Sequence, residues 1–163
     1  SQNRRAPQNA QFPRRPAISQ AKTEPTRQQR LQVGAKANAL KELSNNFQRQ
    51  QRHKEAVTLM RQAFQLQPKI VPEEKFARDM SQVEDTDFVV SLLRSMLDDG
   101  LLVTADPWIE LGDALQKKED WHAAASAYKK GLALKSHREI RNEHARVAVE
   151  RCSLMIAADT DVE

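Results

Sequence analysis

The apolar residues of this chain recur at spacings of three and four, and the arrangement that includes Leu40 returns at Trp108, an offset of 68 in the numbering. Such spacing is typical of one face of an α-helix, and no segment shows the sustained alternation typical of a strand. Eight positions share the offset: Leu40, Leu43, Ser44, Phe47, Ala56, Met60, Ala63 and Pro68 align with Trp108, Leu111, Gly112, Leu115, Ala124, Tyr128, Gly131 and Ser136. The chain is therefore predicted to be all-α, with a repeated pair of helices.

An offset of 68 is twice 34, and a degraded copy of the pattern lies between the two clear ones. Its apolar positions fall one residue early: Phe76, Ala77, Met80, Val89, Leu93, Met96 and Leu97. The extra residue before the last copy falls between Gly100, expected just after a helix, and Pro107, expected at a helix start. Within the helical region 26–136 we therefore predict three units, at about 37–69, 70–104 and 105–138.

The third unit carries the most specific motif: Trp108, Leu111, Gly112, Leu115, Ala124 and Tyr128. With this spacing and a period of 34, the chain resembles the tetratricopeptide repeat family over about residues 37–138. Two positions depart from the family pattern, since Leu40 replaces its Trp in the first unit and Ser136 replaces its closing Pro in the third. The resemblance implies a right-handed α-solenoid of about three helical hairpins.

A solenoid requires a last helix that covers the apolar face of its terminal unit. Residues 137–158 are predicted to form this capping helix. The side chains expected to face the third unit are Ile140, Val147, Leu154 and Met155. Residues 159–163 are expected to fray.

The N-terminus has a different composition. The first 36 residues hold eight basic side chains against one acidic, a charge of +7 in a chain whose total is +4. Residues 1–25 contain four of the seven prolines and few apolar residues, so they cannot bury enough surface to offset their ordering entropy, and we predict an extended or disordered arm. The basic residues suited to an electrostatic contact are Arg4, Arg5, Arg14, Arg15 and Lys22.

Such an arm suits phosphate backbones or an acidic protein surface. Its only aromatic ring is Phe12, so contact with nucleic acid would be electrostatic, without base stacking. A solubilising tail or a linker is the alternative interpretation of the same composition.

Residues able to carry out chemistry are few and scattered. The single Cys152 excludes an internal disulfide and a cysteine-built zinc site, and we expect it to be a buried thiol. His137 and His144 could share a helix face, but no acidic residue completes a metal-ligand set. Four scattered glycines form no phosphate-binding loop. We therefore expect no enzyme activity, no cofactor and no metal.

No apolar run approaches the roughly 20 residues that a membrane span requires. Residues 1–11 are polar and basic and show no signal peptide. We expect the cytoplasm or another soluble, reducing intracellular compartment.

The family resemblance implies a concave groove, lined by the first helix of each hairpin, that holds an extended peptide or a helix of a partner protein. The positions that carry over from the family are Asn38, Lys41, Asn45, Gln48 and Arg49 from the first unit, Glu74, Arg78 and Gln82 from the second, and Asp106, Ile109, Asp113, Gln116 and Lys117 from the third.

Some family members grip the terminal carboxylate of a peptide with a clamp of basic and amide side chains. Lys41 and Asn45 match the first half of this clamp. Lys75 stands where the clamp has Asn, and Asp106 and Glu110 stand where it has basic residues. Two carboxylates there would repel an acidic peptide end, which disfavours this mode of binding.

We therefore expect a protein-binding adaptor or scaffold for complex assembly, with a partner segment in the groove and a second, electrostatic contact through the arm. Two weak contacts on one chain increase affinity through effective concentration. One alternative is an RNA- or ribonucleoprotein-associated factor whose arm follows phosphates. A second is an accessory domain of a larger enzyme.

Overall fold

The computed structural model describes residues 23–161 and places seven α-helices in that range. They are α1 (Arg27–Arg49), α2 (His53–Leu66), α3 (Glu73–Ser81), α4 (Thr86–Asp98), α5 (Ala105–Lys117), α6 (Trp121–Leu134) and α7 (Glu139–Thr160). No strand occurs among these residues, so the all-α prediction is confirmed for them. None of the seven helices is long and apolar enough to cross a bilayer. The predictions for Arg4, Arg5, Arg14, Arg15 and Lys22 concern residues outside the described range.

Most helices pack mainly against a neighbour in the chain, and the exception is α3, whose most extensive contact is with α5. The most extensive contacts join α1 to α2 and α5 to α6, followed by α6 with α7 and α4 with α5. The nine-residue α3 contacts both α2 and α5, and α5 also contacts α7. As a result α3, α5 and α7 lie side by side on one face of the protein.

Two helical hairpins share the same boundaries when their numbering is offset by 68. In the first, α1 ends at Arg49 and α2 spans His53–Leu66; in the other, α5 ends at Lys117 and α6 spans Trp121–Leu134. All three of these boundaries therefore differ by the offset found in the sequence.

The turns inside these hairpins are also equivalent. Gln51 and Glu119, which are related by the same offset, both adopt a left-handed backbone with φ of 58° and 59°. The hydrogen bonds of the two turns also match. In the first turn, the amides of Gln50, Gln51 and Arg52 donate to the carbonyls of Asn46, Gln48 and Phe47, respectively. In the second, the amides of Lys118, Glu119 and Asp120 donate to the carbonyls of Ala114, Gln116 and Leu115, respectively. The repeat is therefore one of backbone geometry as well as of residue type.

Small residues occupy the crossing point of the two helices in each hairpin. A Cβ atom added at Gly112 would lie 2.7 Å from ring atoms of Tyr128, which is fully buried. At the equivalent position Ser44 is 1% exposed, and its hydroxyl donates to the carbonyl of Ala56 at 2.6 Å. Helices can approach this closely only where the facing side chain is minimal.

The middle unit has a different turn. The Val83 amide donates to the carbonyl of Met80, and Asp85 caps α4 by accepting a hydrogen bond from the Phe88 amide at 3.1 Å. No residue between α3 and α4 has a positive φ. The apolar residues predicted for this unit are all buried: Phe76, Ala77, Met80, Val89, Leu93, Met96 and Leu97.

The outer helices differ in extent from the predicted units. Thr26 caps α1 through a reciprocal pair of hydrogen bonds with Gln29, so this helix begins well before residue 37. At the other end α7 runs to Thr160, and Asp159 and Thr160 are helical where fraying was expected. Their backbone is held by continuation of the α7 helix.

The prediction for the buried face of α7 is wrong. Ile140, Val147 and Leu154 are 75%, 47% and 72% exposed, and Met155 is also exposed. The residues buried against the rest of the protein are small or polar: Asn142, Ala145, Ala148 and Cys152. These small side chains let α7 approach α6 closely, which the larger aliphatic side chains on the opposite face would prevent.

Candidate binding groove

An open groove of about 860 Å³ lies between α3, α5 and α7. We call it the α3–α5–α7 groove, and its lining residues are Glu74, Ala77, Arg78, Ser81, Asp106, Glu110, Asp113, Gln116, Lys117, Glu119, Trp121, Arg138, Ile140, Arg141 and His144. Most of these side chains are charged or polar. Such a surface suits recognition of a polar or charged chain.

Six of the predicted groove residues line this groove: Glu74, Arg78, Asp106, Asp113, Gln116 and Lys117. Gln82 is exposed just beyond the end of α3, outside the lining. The expectation for Ile109 is wrong, because this side chain is fully buried and its Cγ1 would lie 2.7 Å from a Cβ added at Gly131. Ile109 therefore packs between α5 and α6 and presents no surface to a partner.

The five predicted residues of the first unit lie away from the groove, which α1 does not line within the described part of the chain: Asn38, Lys41, Asn45, Gln48 and Arg49. Asn38 lines a separate depression of about 750 Å³ near the start of α1. Gln48 is hydrogen-bonded to His53, with 2.5 Å between the Gln48 Oε1 and the His53 Nδ1. The Asn45 Oδ1 accepts a 3.5 Å hydrogen bond from Lys75 Nζ, so α1 meets α3 here.

Three carboxylates follow one another along the groove face of α5. Asp106, Glu110 and Asp113 are spaced by four and then three residues, which places them on the same side of the helix. Their side chains are 6%, 9% and 22% exposed. Asp106 lies in the first turn of α5, where the helix dipole stabilises a negative charge.

Asp113 is firmly anchored. Its Oδ1 accepts a hydrogen bond from the Tyr128 hydroxyl at 2.5 Å and lies 2.6 Å from His144 Nε2. Its Oδ2 accepts from Arg141 Nη2 at 3.4 Å. Burial, together with the nearby Asp113, raises the pKa of the Tyr128 phenol, which keeps it protonated as a donor. This cluster joins α5, α6 and α7 and sets the shape of one end of the groove.

Asp106 and Glu110 have looser partners. The Nη2 atom of Arg138 is 3.9 Å from Asp106 Oδ2, and that of Arg141 is 3.8 Å from Glu110 Oε2. Both separations exceed the length of a hydrogen bond. The Asp106 Oδ1 is buried and accepts no hydrogen bond from the residues that the structure describes. Burial, followed by the charge of Asp113, raises the pKa of Glu110 to about 7.

The sequence prediction missed the wall of the groove contributed by α7 and its N-cap. Arg138, Arg141 and His144 are spaced by three and share one face, a signal that was visible in the sequence. The side of α5 that they meet depends on how α7 packs against α6, which the spacing does not reveal. In the sequence, Glu110 stood out only because the carboxylate clamp of the family has a basic residue at this position.

The other polar candidates are accounted for by packing. Between residues 23 and 161 no three His, Cys, Asp or Glu side chains are arranged to hold a metal ion. Cys152 is fully buried on the inner face of α7, and burial raises the pKa of its thiol.

The chain matches no protein-family model, and no curated protein sequence matches it significantly. The resemblance to the tetratricopeptide repeat family therefore depends on its motif residues, on the offset of 68 and on the packing at Gly112 and Ser44.

Proposed function

We propose that the protein is a non-catalytic adaptor of the tetratricopeptide type that binds a segment of a partner protein in the α3–α5–α7 groove. The observation that carries this proposal is the open groove lined by charged side chains of three adjacent helices. In a solenoid of helical hairpins, these helices would be the first helices of successive units. The equivalence of the α1–α2 and α5–α6 hairpins supports that arrangement.

The groove is well suited to recognition because its walls are held from behind. Phe76 and Met80 anchor α3 in the core, Ile109 anchors α5, and Ala145 anchors α7, each 0% exposed. A surface supported in this way loses little conformational entropy when a ligand binds. The charged side chains at the rim would then select the partner by electrostatic complementarity.

Site-specific photocrosslinking tests this proposal. A photoreactive residue at Ser81, which lines the groove, should form a crosslink to the partner protein in cells. The same residue at Ser91 is the matched control, because Ser91 is exposed on α4 outside the groove. Glu74→Arg in the groove should abolish the Ser81 crosslink, whereas Asp98→Arg on α4 should leave it intact.

Equal crosslinking from Ser81 and Ser91 would contradict the groove assignment. So would a Ser81 crosslink that survives Glu74→Arg while thermal unfolding of the variant matches that of the unmodified protein. Both outcomes would place the contact elsewhere on the surface.

The basic charge of residues 1–36 supports the second candidate, an RNA- or ribonucleoprotein-associated factor. This candidate predicts retention on RNA that weakens steeply with salt and is lost when the five basic residues of the arm are replaced by Gln in the full chain. The adaptor proposal instead predicts a Ser81 crosslink that resists nuclease. An accessory domain of a larger enzyme is distinguished by an open reading frame that continues beyond Glu163.

A further inference from the structure

Two carboxylates at the floor of the groove have hydrogen-bonding capacity that residues 23–161 leave unused. The Asp106 side chain is 6% exposed, lines the groove, and has a buried Oδ1 without a hydrogen-bond partner among residues 23–161. Glu110, one turn later, is 9% exposed and has its nearest guanidinium 3.8 Å away. Unpaired buried oxygens of this kind are costly, so a ligand that donates hydrogen bonds to them would be favoured.

The lining as a whole is nearly balanced in charge, and it is the floor, with Asp106 and Glu110, that favours a cation. Five of the lining residues are Asp or Glu and four are Lys or Arg, with His144 as the remaining titratable group. Arg138 is 44% exposed and can turn toward solvent, so it does not close off Asp106. A further carboxylate would add repulsion at this floor, and no metal-ligand set is present in the described range.

We propose that Asp106 and Glu110 form a subsite for the guanidinium or ammonium group of an arginine or lysine side chain. This inference rests on the proposed function, in which a partner segment occupies the groove. Guanidinium and ammonium groups are pure donors, and their hydrogen bonds to carboxylates are among the stronger ones in proteins. The segment recognised by the groove would therefore be basic.

The protonation of Glu110 gives the subsite a pH dependence. Asp113 on the same helix raises the pKa of Glu110, while Arg141 on α7 and Lys117 on α5 lower it, and the buried Tyr128 lies close by on α6. Because burial is the largest influence and raises the pKa to about 7, Glu110 is mostly ionised only above neutral pH. A cation should bind more tightly at pH 8 than at pH 6.

Arg78 and Glu74 of α3 complete the titratable surroundings of the subsite.

The test is a methyl NMR titration of the full chain at pH 8 with n-propylguanidinium, n-butylammonium or butyrate. Ala77 and Ile140, which line the groove, serve as reporters, and Ala133 on the outer side of α6 serves as the remote reference. Both cations should shift the groove methyls in a saturable way and leave Ala133 unmoved, while butyrate should not. An unchanged spectrum with both cations, or saturable shifts with butyrate alone, would overturn the proposal.

Two isosteric substitutions locate the subsite. Asp106→Asn with Glu110→Gln should weaken cation binding about tenfold or more, because two charge-assisted hydrogen bonds are lost. The control is Asp98→Asn, which removes one charge from the exposed end of α4. Equal loss of binding in the control would show general charge attraction and refute the site. If the double variant does not fold, the comparison of the two cations with butyrate on the unmodified chain still tests the proposal.

The cationic group has two sources, a partner protein or the basic residues of this chain between positions 4 and 22. Replacing Arg4, Arg5, Arg14, Arg15 and Lys22 by Gln in the full chain distinguishes them. If the arm supplies the cation, the substitutions should shift the groove methyls by themselves and strengthen binding of n-propylguanidinium; if a partner supplies it, neither should change. Either result requires the same cation subsite.

The crosslinking experiment separates failure of this inference from failure of the proposed function. A specific Ser81 crosslink together with an absence of cation binding would leave the adaptor standing and remove only the subsite. Cation binding without any crosslink would keep the subsite and contradict the adaptor proposal.

Discussion

Replacing Gly112 by Ala should destabilise the protein, because the two helices of the third hairpin meet at this residue. The new Cβ would lie 2.7 Å from Cδ1 and Cε1 of Tyr128 and 2.9 Å from its Cγ, well inside van der Waals contact. The ring has little freedom to retreat, since Tyr128 is 0% exposed and its hydroxyl is bonded to Asp113.

Three contributions set the change in the free energy of unfolding that Gly112→Ala should cause. Overpacking a well-filled core costs about 1–3 kcal/mol. Weakening the hydrogen bond from Tyr128 to Asp113 costs about 1 kcal/mol more, and alanine recovers about 1 kcal/mol over glycine through its helix propensity. The expected net loss in the free energy of unfolding is about 1–3 kcal/mol.

Urea unfolding followed by circular dichroism measures this loss, and Gly34→Ala provides the matched control. Gly34 also lies inside a helix, but among the described residues a Cβ there would meet only Gln67 Oε1, at 3.8 Å. The control should therefore gain about 0.5–1 kcal/mol from helix propensity alone. The reasoning fails if Gly112→Ala is as stable as the unmodified protein while Gly34→Ala shows the expected gain.

Three further predictions concern buried polar groups. Because the folded-state pKa of Glu110 is raised to about 7, the free energy of unfolding should fall as pH rises from about 4.5 to 7. The stability advantage of Glu110→Gln over the unmodified protein should therefore be about 3 kcal/mol larger at pH 8 than at pH 4.5. Equal differences at both pH values in urea unfolding would refute this. Asn142→Ala should cost about 2–3 kcal/mol, because Asn142 is 3% exposed and exchanges hydrogen bonds with the amide and carbonyl of Ser136; an unchanged urea midpoint would contradict it. Cys152 should react with a thiol reagent only after unfolding, and rapid labelling of the native protein would show that α7 does not pack as described.

The apolar periodicity predicted the core well wherever one face of a helix is clearly larger and more apolar than the other. The repeat positions Ala56, Met60 and Ala63 share one face of α2, and all three are buried. The helix ends at Leu66, two residues before Pro68, which has no amide hydrogen with which to continue it. These features depend on residues within a few turns of one another, so local sequence contains the necessary information.

The same method failed on α7, where two faces of the helix satisfy a helical period. One carries Ile140, Val147 and Leu154, and the other carries Ala145, Ala148 and Cys152. Burial energy alone favours the larger side chains, so the first face was chosen. The structure buries the second face, because a close approach to α6 requires small residues.

The candidate groove was predicted in part. The family pattern identified residues of α3 and α5 that do line it, but it included Ile109, whose side chain is buried against Gly131. The sequence did not identify Glu110, which lies at the floor of the groove, or Arg141, which faces it from α7, as ligand contacts. Their role depends on which face of α7 is turned toward α5.

By itself the sequence determined the helical class, the offset between the two equivalent hairpins and the small residues at the hairpin crossings, because each depends on local spacing and on the size of single side chains. Tertiary packing alone decided that α7 brings Arg138 and Arg141 near the carboxylates of α5. It also decided that Asp106 has a buried oxygen with no hydrogen-bond partner in the part of the chain that the structure describes. These features arise from contacts between residues about 30 positions apart. No periodicity within one helix encodes such contacts.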